Sequence, residues 1–251
     1  MIVDTHVHVG IGQYATVEEL LEQLDKCGVE RAVLVQYRAG FGPIGNTDNT
    51  YISECVRKHP GRLAAVGIVD WTKEDAPQRL EYWVKTHGIQ GIRIDGSALS
   101  PGSDKYAIWR KAAQLGTITS VSGKLDGISQ IAKKFPNLSI HVEHTGMPNI
   151  NGERVLTLAE YPNVFVKFTV SGLKGISNES YPHRDAQPFF GKVYQLFGPK
   201  RIMWGSNYPP VLSEEGYEKT LLYLQKEIPY LSADDKEWLM GRTALEMWRF
   251  H

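Results

Sequence analysis

Three observations predict a single (β/α)8 barrel, the TIM-barrel class of α/β fold, as one domain over residues 1–251. Eight short runs rich in Val and Ile recur along the chain, most of them closed by Gly, Asp or Pro. A segment with the one-face spacing of an amphipathic helix, or a crossover, separates each run from the next. One such barrel uses all 251 residues, and no repeat, low-complexity tract or Ser/Gly-rich linker divides them. A doubly wound open sheet is the competing arrangement, but no GxGxxG follows the first strand and that strand ends in polar residues.

In chain order, the predicted strands cover 2–8, 31–36, 63–70, 91–95, 117–122, 138–144, 164–169 and 201–207. The first helix, over 17–26, has apolar Val17, Leu20, Leu21 and Leu24 on one face. Thr16 is its expected cap, and Glu19 completes a capping box. Further helices are expected near 49–58, 76–85, 105–115, 125–134, 187–196 and 215–226, with a closing helix over 234–249.

The strand ends carry the chemistry. In "IVDTHVHVG", Asp4, His6 and His8 stand at every second position and so share a strand face. Two imidazoles roughly 7 Å apart along a strand can converge on one ion at about 2.0–2.1 Å from each nitrogen. Strand six, "IHVEHTGMP", is read with Ile140, Val142 and His144 toward the barrel, and with His141 and Glu143 on the other face as structural residues. In "GIRID", Arg93 joins Gly91 and Asp95 on the barrel side, and a buried arginine needs a carboxylate or an anionic ligand. Asp95 and a substrate carboxylate are the two partners considered. Lys167 in "VFVKFT" is read as snorkelling to solvent. Strand eight ends at Asn207, in phase with Met203 and Gly205.

Composition narrows the partners. Hydrophobic residues make up 42% and charged residues 22%, as in a soluble domain with a full core. Lys+Arg and Asp+Glu both number 28, so charge gives no reason to expect a nucleic acid or a membrane surface as partner. Cys27 and Cys55 lack CxxC spacing, which argues against a disulfide scaffold or a thiolate zinc site. No leader pattern opens the chain, and a cytoplasmic, reducing setting is expected. The expected partner is a small-molecule substrate, and a homo-oligomer is compatible with all of this.

"DTHVH", "GVERAVLVQ", "GIQGIRI", "EHTGMP", "PNVFVKF", "YPHRDAQPF", "FGPKRIMWGSNYP" and "LMGRTALEMW" occur in that order over nearly the whole chain. Together they resemble the amidohydrolase superfamily, in particular its amidohydrolase-2 group and the lactonase-like branch. The resemblance implies a (β/α)8 barrel with its site at the C-terminal strand ends. It implies His6 and His8 as metal ligands and His144 as the residue that orients or activates water. Members that bear a metal complete its site with a strand-five histidine and a strand-eight aspartate. Here strand five reads "TITSVSG", with Ser120 or Ser122 in place of the histidine, and strand eight supplies Asn207. Asp95 is the one acidic group at the end of strand four. Two histidines fall short of the three protein ligands usual for catalytic zinc, so a divalent cation is expected to be held weakly or not at all.

The expected activity is hydrolysis of a carboxylated or sugar-derived lactone. His144 would assist the water, with His6, His8 or a weakly held cation polarising the carbonyl. Arg93 would hold a substrate carboxylate, and Asn207 would position the water or the leaving oxygen. Tyr181, His183 and Arg184 would line the mouth. A metal-dependent decarboxylase and a non-catalytic ligand-binding barrel are the competing readings.

Overall fold

In the computed structural model, which describes residues 1–12, 14–38 and 40–250, eight strands lie side by side in chain order. They are β1 (Val3–Val7), β2 (Arg31–Val35), β3 (Leu63–Gly67), β4 (Gly91–Asp95), β5 (Ile118–Ser122), β6 (Ile140–Val142), β7 (Val164–Phe168) and β8 (Ile202–Trp204). Every neighbouring pair is parallel. The seam between β8 and β1 is drawn together by a parallel bridge from Val7 to Tyr208. Two backbone bonds complete that seam, His8 N–H to Tyr208 O at 2.7 Å and Asn207 N–H to His6 O at 2.9 Å. The result is the predicted single (β/α)8 barrel.

Helices Val17–Cys27, Thr50–Lys58, Ala76–His87, Ala107–Leu115, Ile128–Lys134, Gln187–Phe197 and Tyr217–Lys226 pack outside the sheet. The first begins as expected, with Thr16 and Glu19 exchanging the two bonds of a capping box. It stops at Gly28, whose φ of 68° is the left-handed conformation that glycine adopts without steric cost. Between β6 and β7 only short helical turns, Pro148–Asn151 and Arg154–Thr157, fill the outer layer. The closing helix runs without interruption from Ala233 to Met247, with a π-helical turn at Trp238–Arg242 between Ala233–Glu237 and Thr243–Met247. No helix among the described residues is long and apolar enough to cross a membrane.

The sheet separates two apolar cores. The outer one, under the helices, includes Leu20, Leu34, Ile92, Val121, Ile140, Val142, Val166 and Trp204. The inner one is small. Val3, Val33, Val35, Ala64, Val66 and Ile118 meet Ala244 and Trp248, so the C-terminal segment plugs the barrel from below. Above this plug the barrel interior turns polar.

The phase of β1 changes along its length. Val3 belongs to the inner core but Val7 to the outer one, although their spacing would place them on one face. The pairing of β1 with β2 shifts between Asp4 and Val7, a bulge that supplies the change of face. His6 and His8 therefore point inward. Asp4 does not share their face. Its carboxylate accepts the Ser206 N–H at 2.9 Å, the His6 N–H at 3.1 Å and the Tyr217 hydroxyl at 2.8 Å, at the β1–β8 seam.

Candidate active site

The polar upper half of the barrel is built around Glu143, which is fully buried. Arg93 on β4 donates to Glu143 Oε2 from Nε at 3.1 Å and from Nη2 at 2.8 Å. Ser120 on β5 donates to Oε1 at 2.8 Å, and the Lys167 ammonium on β7 donates to Ser120 Oγ at 3.0 Å. Burial works against the charge of Glu143, but Arg93, Lys167, His144 and Ser120 together outweigh it and hold the carboxyl down at about 2. Burial also lowers Lys167, to about 8, with Glu143 pulling the other way. Its Nζ lies 5.7 Å from the centre of the Trp248 ring, so the plug below supports the charged layer above.

The histidines lie at the top of this layer. The rings of His6 and His8 are 4.9 Å apart and those of His6 and His144 are 4.5 Å apart, centre to centre. His6 Nδ1 approaches Glu143 Oε1 at 3.9 Å. Each imidazole is neutral at pH 7. Burial lowers His8 to about 3, reinforced by Arg93, and lowers His144 to about 4 against the pull of Glu143. His6 is pushed well below its ordinary value by burial and by the neighbouring His144 and His8.

Two orientations are set from behind. His8 Nδ1 bonds the Val35 carbonyl at 2.6 Å, and His144 Nδ1 bonds Thr169 Oγ1 at 3.0 Å. The chain after β6 turns back to bring His144 in, with φ values of 51° at His144 and 55° at Thr145, a conformation uncommon outside glycine. That turn needs Gly172, because a Cβ there would lie 2.5 Å from the His144 carbonyl oxygen. Gly205 does the same for the other histidine: a Cβ there would lie 2.7 Å from that of His6.

The structure thus gathers His6, His8, Arg93 and His144 at the C-terminal strand ends, but not all for the predicted reasons. The phase predicted for strand six is inverted. Ile140 and Val142 face the helices, and Glu143 faces into the barrel as the centre of the site. His144 enters through the turn rather than by strand alternation. Arg93 does not pair with Asp95, whose Oδ1 serves the Ser97 N–H and hydroxyl. Two of its N–H groups go to Glu143 and Nη1 goes to the Gln36 carbonyl, so its fork is already committed to an internal carboxylate. Lys167 is buried, not snorkelling.

Asn207 adopts φ 65° beside His6, to which it is tied through the backbone. Tyr181, His183 and Arg184 do not meet the histidine cluster. Tyr181 donates to the Lys219 carbonyl at 3.2 Å, His183 Nε2 lies 3.3 Å from Glu215, and Arg184 lies 3.6 Å from Glu227. Helix Tyr217–Lys226 and its flanks offer these partners, and the loop after β7 folds onto them. Glu143 is the residue the sequence reading missed, because alternation in this strand is compatible with either face inward and only its partners across the barrel, Arg93 and Ser120, mark it.

Among the described residues, His6, Glu143 and His144 offer ligand atoms that all lie within 4.8 Å of one another. Both ring nitrogens of His6 are buried without a hydrogen-bond partner. Neutral imidazoles with an orphaned buried nitrogen, backed by carbonyl and hydroxyl partners, are the donor chemistry a divalent cation takes. The residues present fit such an ion.

A parallel eight-stranded barrel with imidazoles and a buried carboxylate at its C-terminal strand ends has the architecture of a barrel hydrolase. The chain belongs to the amidohydrolase family, whose model matches residues 3–250. It is 28% identical over 214 residues to an L-fucono-1,5-lactonase of Burkholderia ambifaria, covering 76% of this chain and 69% of that one. It is 25% identical over 216 residues to a 2-pyrone-4,6-dicarboxylate hydrolase of Comamonas testosteroni, covering 78% and 68%. The crystal structure of an amidohydrolase from Burkholderia multivorans with bound zinc superposes with a TM-score of 0.74 at 19% identity, over 98% of both chains.

Proposed function

We propose that this hydrolase opens lactones by adding water to the ring carbonyl. One observation carries the reading: a neutral His144, tethered by Thr169 at one ring nitrogen, stands 4.5 Å, ring centre to ring centre, from the neutral imidazole of His6 at the C-terminal end of the barrel. A base held in its unprotonated form and a neighbouring polar group are the two elements that water attack on an ester carbonyl requires. The lactonase and pyrone-hydrolase relatives, both acting on cyclic esters by name, support the same class.

In this reading His144 takes a proton from the attacking water as the new C–O bond forms. His6, whose ring nitrogens have no other partner among the described residues, faces the carbonyl oxygen and stabilises its developing charge through its N–H, while His8, its Nδ1–H given to the Val35 carbonyl, presents only an acceptor nitrogen to the site. Collapse of the tetrahedral intermediate breaks the ring C–O bond, and the His144 imidazolium returns its proton to the leaving oxygen. Asn207 positions the water or that oxygen; its neutral amide takes no proton. Glu143 stands 3.9 Å from His6 Nδ1 without bonding it, and is itself held by Arg93 and Ser120. A divalent cation, were it bound by His6, Glu143 and His144, would supply a Lewis acid for the carbonyl, and it would occupy the His144 nitrogen that otherwise takes the proton. With Arg93 and Lys167 adjoining, we infer that such an ion, zinc included, is held loosely.

The test is a panel of γ- and δ-lactones followed by acid release in a pH-indicator assay, with His144→Gln alongside. Turnover that His144→Gln abolishes is the expected result. Release of CO2 from carboxylated aromatic acids without lactone opening would replace this reading with a decarboxylase. Binding without turnover would replace it with a ligand-binding barrel.

A further inference from the structure

Arg38 follows β2, and its side chain reaches Ser122 at the far end of β5, across the ends of β3 and β4. Nη1 donates to Ser122 Oγ at 3.0 Å and Nη2 donates to the Pro43 carbonyl. Its Cζ stands 5.9 Å from the centre of the Trp71 ring. All three neighbours are neutral. Among the described residues no carboxylate is in ion-pair contact with this guanidinium, although it is partly buried. Arg201 is also partly buried without a carboxylate, but it spreads its donors over four backbone carbonyls. Among the described residues, Arg38 commits two of the five N–H groups of a guanidinium, which leaves the rest for another acceptor.

Its setting is the pocket itself. Arg93, Asp95 and Glu143 are the charges close enough to act on Arg38. Of these, Arg93 and Glu143 neutralise one another in their own pair. The preceding residue, Tyr37, packs on Tyr14 at 4.6 Å, and Tyr14 packs on His8 at 5.8 Å, centre to centre. Tilted by 35° and 60° to one another, these rings form a stepped aromatic wall from His8 to the residue before the arginine. A ring lying along that wall, with its carbonyl at His6 and His144, would carry its far substituent toward Arg38.

We propose that Arg38 is the carboxylate-binding group of this pocket, and that the substrate is a lactone bearing a carboxylate on the side remote from the scissile ester. The role follows from chemistry that Arg93 no longer offers, its fork being filled by Glu143. An uncharged sugar lactone leaves Arg38 with only the Asp95 carboxylate, near it but outside ion-pair contact, whereas a carboxylated ring gives it a directly bonded, charge-assisted partner. The inference rests on the lactonase reading for the reaction and on Arg38 alone for the charge of the ligand.

The experiment compares two δ-lactones of matched size, one with and one without a ring carboxylate, in wild type, Arg38→Gln and Arg38→Lys. Melting curves for all three confirm folding. The expected result is a wild-type preference for the carboxylated lactone that falls about 10–100-fold in Arg38→Gln, through KM more than kcat, with part restored by Arg38→Lys. A preference unchanged in Arg38→Gln overturns the proposal and leaves the lactonase reading standing. If wild type opens neither lactone, that reading fails, and calorimetric titration with glutarate decides the role of Arg38. Glutarate binding lost in Arg38→Gln and kept in Arg38→Lys then supports the proposal. No binding to wild type, or equal binding to wild type and Arg38→Gln, overturns it.

Discussion

The lower and upper halves of the barrel interior are made by the same strands and differ in kind. Below, Val3, Val33, Val35, Ala64, Val66 and Ile118 close on Trp248 as an ordinary apolar core. Above, Arg93, Ser120, Glu143 and Lys167 form a continuous buried ionic chain under three neutral imidazoles. The lower half gains stability from burial at roughly 25 cal/mol per Å². The upper half gains little net stability, since desolvating ions offsets most of their attraction. It retains function instead: a fixed, water-poor field that keeps the imidazoles unprotonated. Stability and chemistry are thus stacked along one barrel axis.

Substitutions on either side of that boundary sharpen the division. Glu143→Gln is expected to have the largest effect, because it leaves Arg93 and Lys167 buried without their anion. A loss of about 3–5 kcal/mol in denaturant unfolding, together with loss of turnover, is expected; a variant as stable as wild type would mean that the ionic chain is not coupled as the bonds imply. Trp248→Ala removes the plug and should cost about 3–5 kcal/mol, while the folded fraction keeps kcat/KM within a few-fold. A Trp248→Ala variant that unfolds normally but loses turnover would erase the boundary between the halves. His144→Gln is the converse case, with kcat lowered about 10²–10⁴-fold and the unfolding midpoint nearly unmoved.

Two smaller effects probe the boundary itself. Lys167 is lowered by burial to about 8 from an ordinary 10.5, so between those pH values the unfolded chain binds more protons than the folded one. Stability relative to Lys167→Met should therefore rise with pH across that window, by on the order of 3 kcal/mol in all. A flat difference between the two proteins from pH 8 to 10.5 would place Lys167 in contact with solvent. Asn207→Asp adds a carboxylate next to the histidines and should tighten zinc about tenfold in calorimetric titration, with His6→Ala as the control. Equal affinity in wild type and Asn207→Asp would put residue 207 outside the reach of an ion at His6.

Residue alternation and spacing were enough for the architecture. Each of the eight runs became a strand, because a Val/Ile run bounded by Gly, Asp or Pro has few other stable outcomes. The pair at His6 and His8 was legible because both stand at one strand end, and the capping box at Thr16 and Glu19 is a purely local bond pattern. The role of Arg93 was half legible: its need for a carboxylate is general, but which carboxylate depends on strands 50 residues apart in sequence.

By itself, then, the sequence determined the barrel, its order of elements and the location of polar residues at the C-terminal strand ends. Only the tertiary structure decided the phase of each strand. A strand buried on both faces offers no solvent side to read, so the alternation in "IHVEHT" is equally compatible with either face inward. Closure of the barrel chose Glu143, and a left-handed turn with Gly172 at its back then returned His144 to the same pocket. The bulge in β1 likewise moved Asp4 away from the histidines and into the seam with Ser206 and Tyr217. In each case the deciding force is a contact between elements far apart in the chain, which local pattern does not encode.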